Sequence, residues 1–216
     1  MRYDNGTSTE LFSNTDNINK SFAQKLGLNN DETFAYVYAL LNSPDYQEKF
    51  ANDLRKDLAR IPIMKDIKKY VEIGNQLIQL HMNYEEAPVY DGVKIKYSGE
   101  PNYKVTKIKF GKKRNPETNK LENDRSTIIF NDSITISNIP EKAYEYIVNG
   151  RSAIEWIIDQ YQIKTDTRSG SGIVDDPNDY SDDPKYIFNL FLRIITVSLK
   201  TIDLINQLPK FEVKDD

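Results

Sequence analysis

The chain has 216 residues and a net charge of −4, from 29 Lys and Arg against 33 Asp and Glu, with 38% hydrophobic and 29% charged residues. This is the balance of a globular protein long enough to bury a substantial core. The lack of cysteine and the single histidine, His81, exclude disulfides, thiol nucleophiles and Cys/His zinc sites, and leave a Ser-His-Asp triad only if His81 serves it.

Residues 1–16 are rich in Asn, Ser, Thr and Asp and read as a mobile lead-in. Ile18, Phe22 and Leu26 then recur every four residues before Gly27, the pattern of a short helix and its stop. A second helix is expected from near Asp31, with Phe34, Tyr38 and Leu41 on one face. Ser43-Pro44 opens a third, whose stripe is Tyr46, Phe50, Leu54 and Leu58. After Pro62 a long helix is predicted from about Lys65 to Tyr84, with Ile67, Val71, Gly74, Ile78 and His81 on a shared face.

The middle of the chain changes period. Val93, Ile95 and Tyr97 alternate with Lys94 and Lys96, which places both lysines on one face of a strand. Tyr103 and Val105 begin a second alternation that Ile108 and Phe110 continue out of phase, so a bulge is expected at Thr106-Lys107. Residues 115–124 read as a polar loop, with Arg125 opening the next strand. Ile128 to Phe130 and Ile134 to Ile136 flank Asn131-Asp132-Ser133 as a hairpin. Helices return at Pro140, the first of them stopping at Asn149-Gly150. Ser152 and Glu155 form a capping box for the next. Asp183-Pro184 caps a long final helix ending before Pro209. The order of helices, sheet and helices predicts an α+β fold: a helical N-terminal part, a small and mainly antiparallel sheet in the middle, and helices that include a long C-terminal one. One unit over residues 17–209, with a tail at 210–216, is the expected organisation.

Charge is segregated along this chain. Between Val93 and Arg114 stand Lys94, Lys96, Lys104, Lys107, Lys109, Lys112, Lys113 and Arg114 against the single acid Glu100. The block carries +7 in a chain whose total is −4, so the remaining residues together carry −11. Such a face attracts polyanions; the plainer reading is a sheet edge guarded by lysines. Asp175, Asp176, Asp179, Asp182 and Asp183 crowd the opposite sign into one loop. They lack the glycine and terminal glutamate of a calcium loop and read as a solvated run before the last helix.

Catalytic templates do not fit. There is no P-loop, and Gly170-Ser171-Gly172 follows no strand. Asp45 with Asp66-Ile67-Lys68 mimics a metal-nuclease signature but falls on helical segments. Asp176-Pro177-Asn178 is not the adenine-methyltransferase signature of Asn or Asp, two prolines and an aromatic. His81 reads as a histidine at a core edge, bonded to backbone or to a carboxylate such as Glu85. Trp156 reads as packing. No catalytic residue, metal site or cofactor is expected. No apolar run approaches the roughly 20 residues of a membrane helix. The N-terminus has no signal-peptide pattern, so no membrane partner is expected and the cytoplasm is the expected location.

Longer patterns add a resemblance. YALLNSPDYQEKFANDLRKDLARIP (Tyr38 to Pro62), GNQLIQLHMNYE (Gly74 to Glu85) and YKVTKIKFGKK (Tyr103 to Lys113) occur in order, followed by the block from Ile128 to Asp166 and by SGIVDDPNDY (Ser171 to Tyr180). Together they resemble the C-terminal specificity domain of type ISP restriction–modification enzymes over about residues 32–209. Those enzymes join nuclease, helicase-type translocase, N6-adenine methyltransferase and target-recognition regions in one polypeptide. Tyr180 stands where the pattern has tryptophan, the Gly170 to Gly172 stretch is longer than the family's loop, and residues 115–124 have no place in it.

The resemblance implies a non-catalytic module that recognises double-stranded DNA and works beside the methyltransferase and helicase regions of a parent polypeptide. In that light Lys104, Lys107, Lys109, Lys112, Lys113, Arg114, Arg125 and Arg151 are the DNA-binding candidates, with Lys164 and Arg168 behind them. Lysines would hold phosphates, while Arg, Asn or Gln would read bases. For Arg151, phosphate binding at a helix N-terminus and an ion pair with a neighbouring helix stand equally. The alternative for the whole chain is a docking module that packs on the methyltransferase or motor region and touches no DNA.

Overall fold

A computed structural model of the chain describes residues 18–54, 56, 59–165, 167 and 172–214. The predicted lead-in at 1–16, Leu58, Arg168, Gly170, Ser171 and the last two residues of the predicted tail lie outside the described residues. The chain divides into two compact units, Met1–Ile78 with Gln207–Asp216, and Gln79–Asn206.

In the first unit, helices start and stop where side chains meet backbone groups that have no partner within the helix. Helix α1 (Lys20–Leu26) has Asn19 as N-cap, accepting from the backbone N–H groups of Ser21 and Phe22, and ends at Gly27 with φ 69°. That left-handed conformation costs glycine no Cβ clash. Helix α2 (Asn30–Leu41) opens on a reciprocal capping box of Asn29 and Glu32. Helix α3 (Pro44–Lys49) opens on Ser43 and Pro44 as predicted, but it is shorter than its apolar stripe. Phe50 turns onto Tyr46 at 4.9 Å between ring centroids, and Leu54 is left exposed. Phe211 joins the two rings, at 6.2 Å from Tyr46 and 6.0 Å from Phe50. Helix α4 (Ile67–Met82) follows.

The described backbone between α3 and α4 forms no regular helix or strand, and tyrosine side chains bond to it. Tyr36 Oη donates to the Pro62 carbonyl at 2.6 Å and accepts from Met64 N–H at 2.9 Å. Tyr46 Oη donates to the Arg60 carbonyl at 2.8 Å. Buried backbone groups need such partners, and here they come from two fully buried rings. Burial pushes the Tyr36 phenol up to about 12, against the opposing effect of the Met64 bond. The described part of the predicted tail is also paired. Val213 bridges Met64 antiparallel, and Lys65 N–H donates to the Glu212 carbonyl at 3.0 Å.

In the second unit, β1 (Lys94–Tyr97), β2 (Lys109–Arg114), β3 (Leu121–Ile129) and β4 (Ile134–Ser137) form an antiparallel sheet in the order β1-β4-β3-β2. The register aligns Ile95, Ile136, Ile128 and Phe110 across all four strands, so they share one face. The long helix near the C-terminus, Tyr186–Ile205, covers that face and shares its core through Ile187, Phe188, Leu190, Phe191, Ile194 and Ile195. Phe188 meets Phe130 edge-on at 5.4 Å. Full burial of each such side chain contributes about 1.5–3 kcal/mol. The predicted α+β architecture is the one observed.

Local differences have local causes. The helix predicted after Pro140 is a single 3-10 turn, Glu141–Tyr144. Asn149-Gly150, read as a helix stop, is the turn of a hairpin between β5 (Ile147–Val148) and β6 (Arg151–Ser152). Its two residues have φ of 50° and 81°, the pair of positive values that a two-residue hairpin turn demands. Helix α5 (Ala153–Gln160) starts on the predicted Ser152/Glu155 capping box. Asp183-Pro184 forms the turn leading into the final helix, α6 (Tyr186–Ile205), with Asp183 accepting from Lys185 N–H at 2.8 Å. Strands β7 (Lys164–Thr165) and β8 (Val174–Asp175) pair antiparallel.

The contact between α2 and α4 yields a test. A Cβ at Gly74 would overlap the backbone carbonyl of Ala35, and backbone cannot yield as a flexible side chain does. Gly74→Ala should lower stability by about 1–3 kcal/mol, measured as a fall in the urea midpoint. An unchanged midpoint would show that the two helices separate at no cost.

Candidate nucleic-acid interface

The basic block folds differently from its predicted shape. Residues 103–107 form no strand, because Val105 finds its backbone partners in a side chain. Val105 N–H donates to Asn178 Oδ1 at 2.8 Å, and Asn178 Nδ2 donates to the Val105 carbonyl at 2.9 Å. The expected bulge at Thr106-Lys107 is therefore replaced by a register shift further on. Phe110 faces Ile128 but Gly111 faces Asp124, which leaves Arg125, Ser126 and Thr127 looped on the β3 side. Gly111 is needed here, since a Cβ would stand 2.9 Å from Thr127 Cβ. Arg125 thus lies inside β3 and does not open it.

Beyond the shift the hairpin leaves the sheet. Strand β4 pairs only with Thr127 to Ile129, so residues 111–114 and 121–124 form a ribbon of two strands alone. Each of those four-residue stretches spans about 13 Å. The ribbon's outer residues Lys112, Lys113, Arg114, Leu121, Glu122 and Asn123 are all exposed. The segment read as a polar loop at 115–124 supplies both the turn and half of the ribbon. Asn115 Oδ1 accepts from the N–H groups of Glu117 and Thr118 at 2.9 and 3.1 Å, and Asn119 takes φ 56°. These bonds close the turn without an apolar contact.

Pairing sorts the charges onto two faces. Lys112 lies opposite Asn123 and Arg114 opposite Leu121; Lys113 lies opposite Glu122, and Gly111 opposite Asp124. Directly paired residues project to the same side. One face therefore carries Lys112, Arg114 and Asn123 with no acid, and the other carries Lys113 among two carboxylates. On the first face, Lys112 Nζ donates to Asn123 Oδ1 at 2.6 Å, and Arg114 Nη1 donates to the Asn119 carbonyl and Oδ1 at 2.8 and 3.2 Å. On the second, the Ser126 hydroxyl chiefly holds the Asp124 carboxyl below its ordinary value. Burial opposes that, while Thr127, the Ser126 backbone and Lys113 add to it.

The other candidates are placed apart. Arg125 Nη2 lies 3.3 Å from Glu155 Oε1 and its guanidinium 5.3 Å from the Tyr144 ring centroid. Arg151 sits over the Trp156 ring at 5.1 Å, with Nη1 3.6 Å from Asp159; its ion pair is thus with the helix it precedes. Burial alone would raise the Glu155 carboxyl, but the bonds from Ser152 and the charges of Arg125 and Arg151 bring it below its ordinary value. Lys104 lines a small depression with Asp182 and Asp183, and Lys107 and Lys164 are exposed outside the ribbon's strands. The β1 lysines, Lys94 and Lys96, and the ribbon's Asn119 and Asn123 were not among the candidates. The alternation of β1 marks the lysines, but nothing apolar marks the ribbon.

His81 Nε2 is hydrogen-bonded to Thr201 Oγ1 at 2.8 Å and its ring stacks on Tyr146 at 5.2 Å. The expected partner, Glu85, instead accepts from the hydroxyls of Tyr84 and Tyr186. His81 lines an apolar cavity of about 250 Å³ with Tyr84, Tyr146, Trp156 and Ile157. Trp156 is partly exposed, with Nε1 donating to the Val148 carbonyl at 2.6 Å. Among the described residues no group of three or more His, Cys, Asp or Glu could hold a metal ion. None of the described helices is long and apolar enough to cross a membrane.

A basic two-stranded ribbon on a small α+β body is the architecture of a recognition module, and comparison with known proteins gives the family. The chain matches the Type ISP C-terminal specificity domain over residues 1–190, and it belongs to that family. A nuclease-deletion mutant of the Type ISP restriction-modification enzyme LlaGI, in complex with a DNA substrate mimic, is 55% identical over 85% of this chain, with a TM-score of 0.74. The ATP-dependent Type ISP enzyme LlaBIII bound to DNA is 49% identical over 91%, with a TM-score of 0.80. The DrdV–DNA complex shares the fold at 23% identity over 90% of the chain, with a TM-score of 0.73. This chain spans 14%, 12% and 19% of those three chains respectively. No curated protein matches it.

Burial lowers the His81 pKa from its ordinary value. The unfolded chain, with a histidine pKa of about 6.5, therefore takes up its proton at a higher pH than the folded protein does. Stability should fall as pH drops through about 6.5 and level off below the folded pKa. Between pH 7.5 and 5.5 the melting temperature should decline in the native chain and decline less in His81→Gln. Equal slopes in the two proteins would refute the assignment.

Proposed function

We propose that this chain is the DNA target-recognition part of a larger Type ISP restriction–modification enzyme. In this reading it is itself non-catalytic. It holds duplex DNA for N6-adenine methylation and ATP-dependent restriction by the methyltransferase, helicase and nuclease regions of a parent polypeptide acting in the cytoplasm. The observation that carries the reading is the ribbon. A two-stranded β-ribbon fits the major groove, about 12 Å wide, and this one presents Lys112, Arg114, Asn119 and Asn123 without a carboxylate on that face. The DNA complexes of LlaGI and LlaBIII, 55% and 49% identical to this chain, support it.

The residues divide by chemistry. Lys112 is a flexible point charge suited to a phosphate. Arg114 is held flat by Asn119 through one nitrogen, which keeps the rest of its guanidinium available for the O6 and N7 of a guanine. Asn123, once its Oδ1 is released from Lys112, has the paired donor and acceptor that match adenine. Of the remaining candidates, Lys107, Lys109 and Lys113 would add phosphate contacts. Arg125 and Arg151 would have to loosen from Glu155 and Asp159 to do the same, and Lys104 from its acidic surroundings.

The test is fluorescence anisotropy of the purified chain on short duplexes across a salt series, with a random-duplex selection. Binding should weaken linearly in log–log form, with a slope of about 0.9 per phosphate engaged. Lys112→Ala with Arg114→Ala should remove most of the affinity, whereas Lys25→Ala on α1 should not. Arg114→Lys should relax one G·C position by about 1–3 kcal/mol. Salt-insensitive binding, or a double variant that binds like the parent chain, would contradict the proposal.

A further inference from the structure

Strand pairing brings together lysines that lie far apart in sequence. The register runs Lys96, Thr135, Ile129, Lys109 across β1, β4, β3 and β2, and Lys94, Ser137, Thr127 in the next row on the same side. This is the face opposite the one α6 covers, because these residues alternate with Ile95, Ile136, Ile128 and Phe110. Its strands place three lysines on the four-stranded part and no carboxylate. Lys94, Lys96 and Lys109 are exposed, and Thr127, Thr135 and Ser137 form a half-buried floor of hydroxyls. The nearest acid along the strands, Asp124, lies past the register shift and is engaged by Ser126 and by the Thr127 hydroxyl.

From this arrangement we infer that the outer face of the sheet is a second binding surface, for the phosphate backbone of a DNA duplex. It is separate from the ribbon face that carries Lys112 and Arg114. The inference rests on the DNA-binding reading and adds a surface to it. Charge complementarity selects the partner: one row has a lysine at each edge with Thr135 and the exposed Ile129 between, and the next adds Lys94, so the face offers a polyanion three cations and the Thr135 hydroxyl. Lys96 and Lys109 sit three strand spacings apart, about 14 Å, close to the roughly 12 Å of a major groove between its two phosphate strands. The sheet would then grip backbone while the ribbon reads bases, the division of labour between positioning and specifying contacts.

The experiment is the same salt series, run on Lys94→Gln with Lys96→Gln and on the charge-retaining Lys94→Arg with Lys96→Arg. Removing one lysine–phosphate pair lowers the log–log slope by about 0.9. The glutamine pair should lower it by roughly 2, the arginine pair should restore it, and the bases enriched from a random pool should stay unchanged. An unchanged slope in the glutamine pair, with Lys112→Ala and Arg114→Ala still abolishing binding, would overturn this inference and leave the DNA-binding reading intact. A lowered melting temperature with an unchanged slope would make the lysines edge guards and overturn it equally. Absence of salt-sensitive binding in the unaltered chain would remove the DNA-binding reading itself.

Discussion

The inner face of the four-stranded sheet is sealed by α6 together with Tyr144, Ile154 and their neighbours, and the arrangement of the second unit depends on that core. Ile128, Phe130, Ile134 and Ile136 are buried against Phe188, Phe191 and their neighbours. With its apolar row committed there, the sheet has a polar face left over, and the β2–β3 hairpin extends past the core with nothing apolar to hold it back. The register shift at Gly111 marks the end of the core-dictated pairing. Before it, the side-chain pattern obeys burial; beyond it, the pattern obeys charge.

Side-chain hydrogen bonds do much of the work that regular structure does elsewhere. Tyr36 and Tyr46 satisfy the backbone around Pro62, and Asn178 satisfies Val105 from both sides. Asn131 is buried in the β3–β4 loop, with Nδ2 donating to the Asn102 and Lys104 carbonyls at 2.6 and 2.8 Å and Oδ1 accepting from Ile134 N–H at 2.8 Å. An unsatisfied buried polar group costs about 1–3 kcal/mol, so these residues fix where irregular backbone runs. Asn178 and Asn131 in this way position the approach to β2, and through it the ribbon, with little hydrophobic area. The excess of tyrosine over phenylalanine in the composition has part of its explanation here.

Charge placement follows a related economy. The acids that balance the chain's basic block are not spread among the lysines. Glu155 gathers Arg125 and Arg151, Glu122 and Asp124 face Lys113, and Asp182 and Asp183 share a depression with Lys104. Lys94, Lys96, Lys109, Lys112 and Arg114 fall on two faces of the sheet and its ribbon. A protein acidic overall can in this way present local positive fields, which steer a polyanion to particular surfaces.

The linear pattern determined the elements wherever one face of an element is buried. The capped helices α1 to α3, the long α4 and α6, the alternation of β1 and the β3–β4 hairpin were legible from caps and apolar spacing. The faces were not all placed: α2 buries Tyr36, Ala39 and Leu40 and leaves the expected Phe34 exposed. Helix α4 buries Tyr70, Ile73, Gly74 and Leu77, of which the expected face included only Gly74, and β1 buries no residue. The family was legible too, in ordered blocks such as GNQLIQLHMNYE. What tertiary structure alone decided lies where that imprint is missing. The ribbon at 111–124 is exposed on both faces, so no apolar period announces it and it reads as a loop. The contacts of Phe211 with Tyr46 and Phe50, and of Asn178 with the backbone of Val105, involve partners that sequence distance conceals. Which lysines share a face was likewise undetermined, because register is a relation between strands and is set by a pairing that no single strand contains.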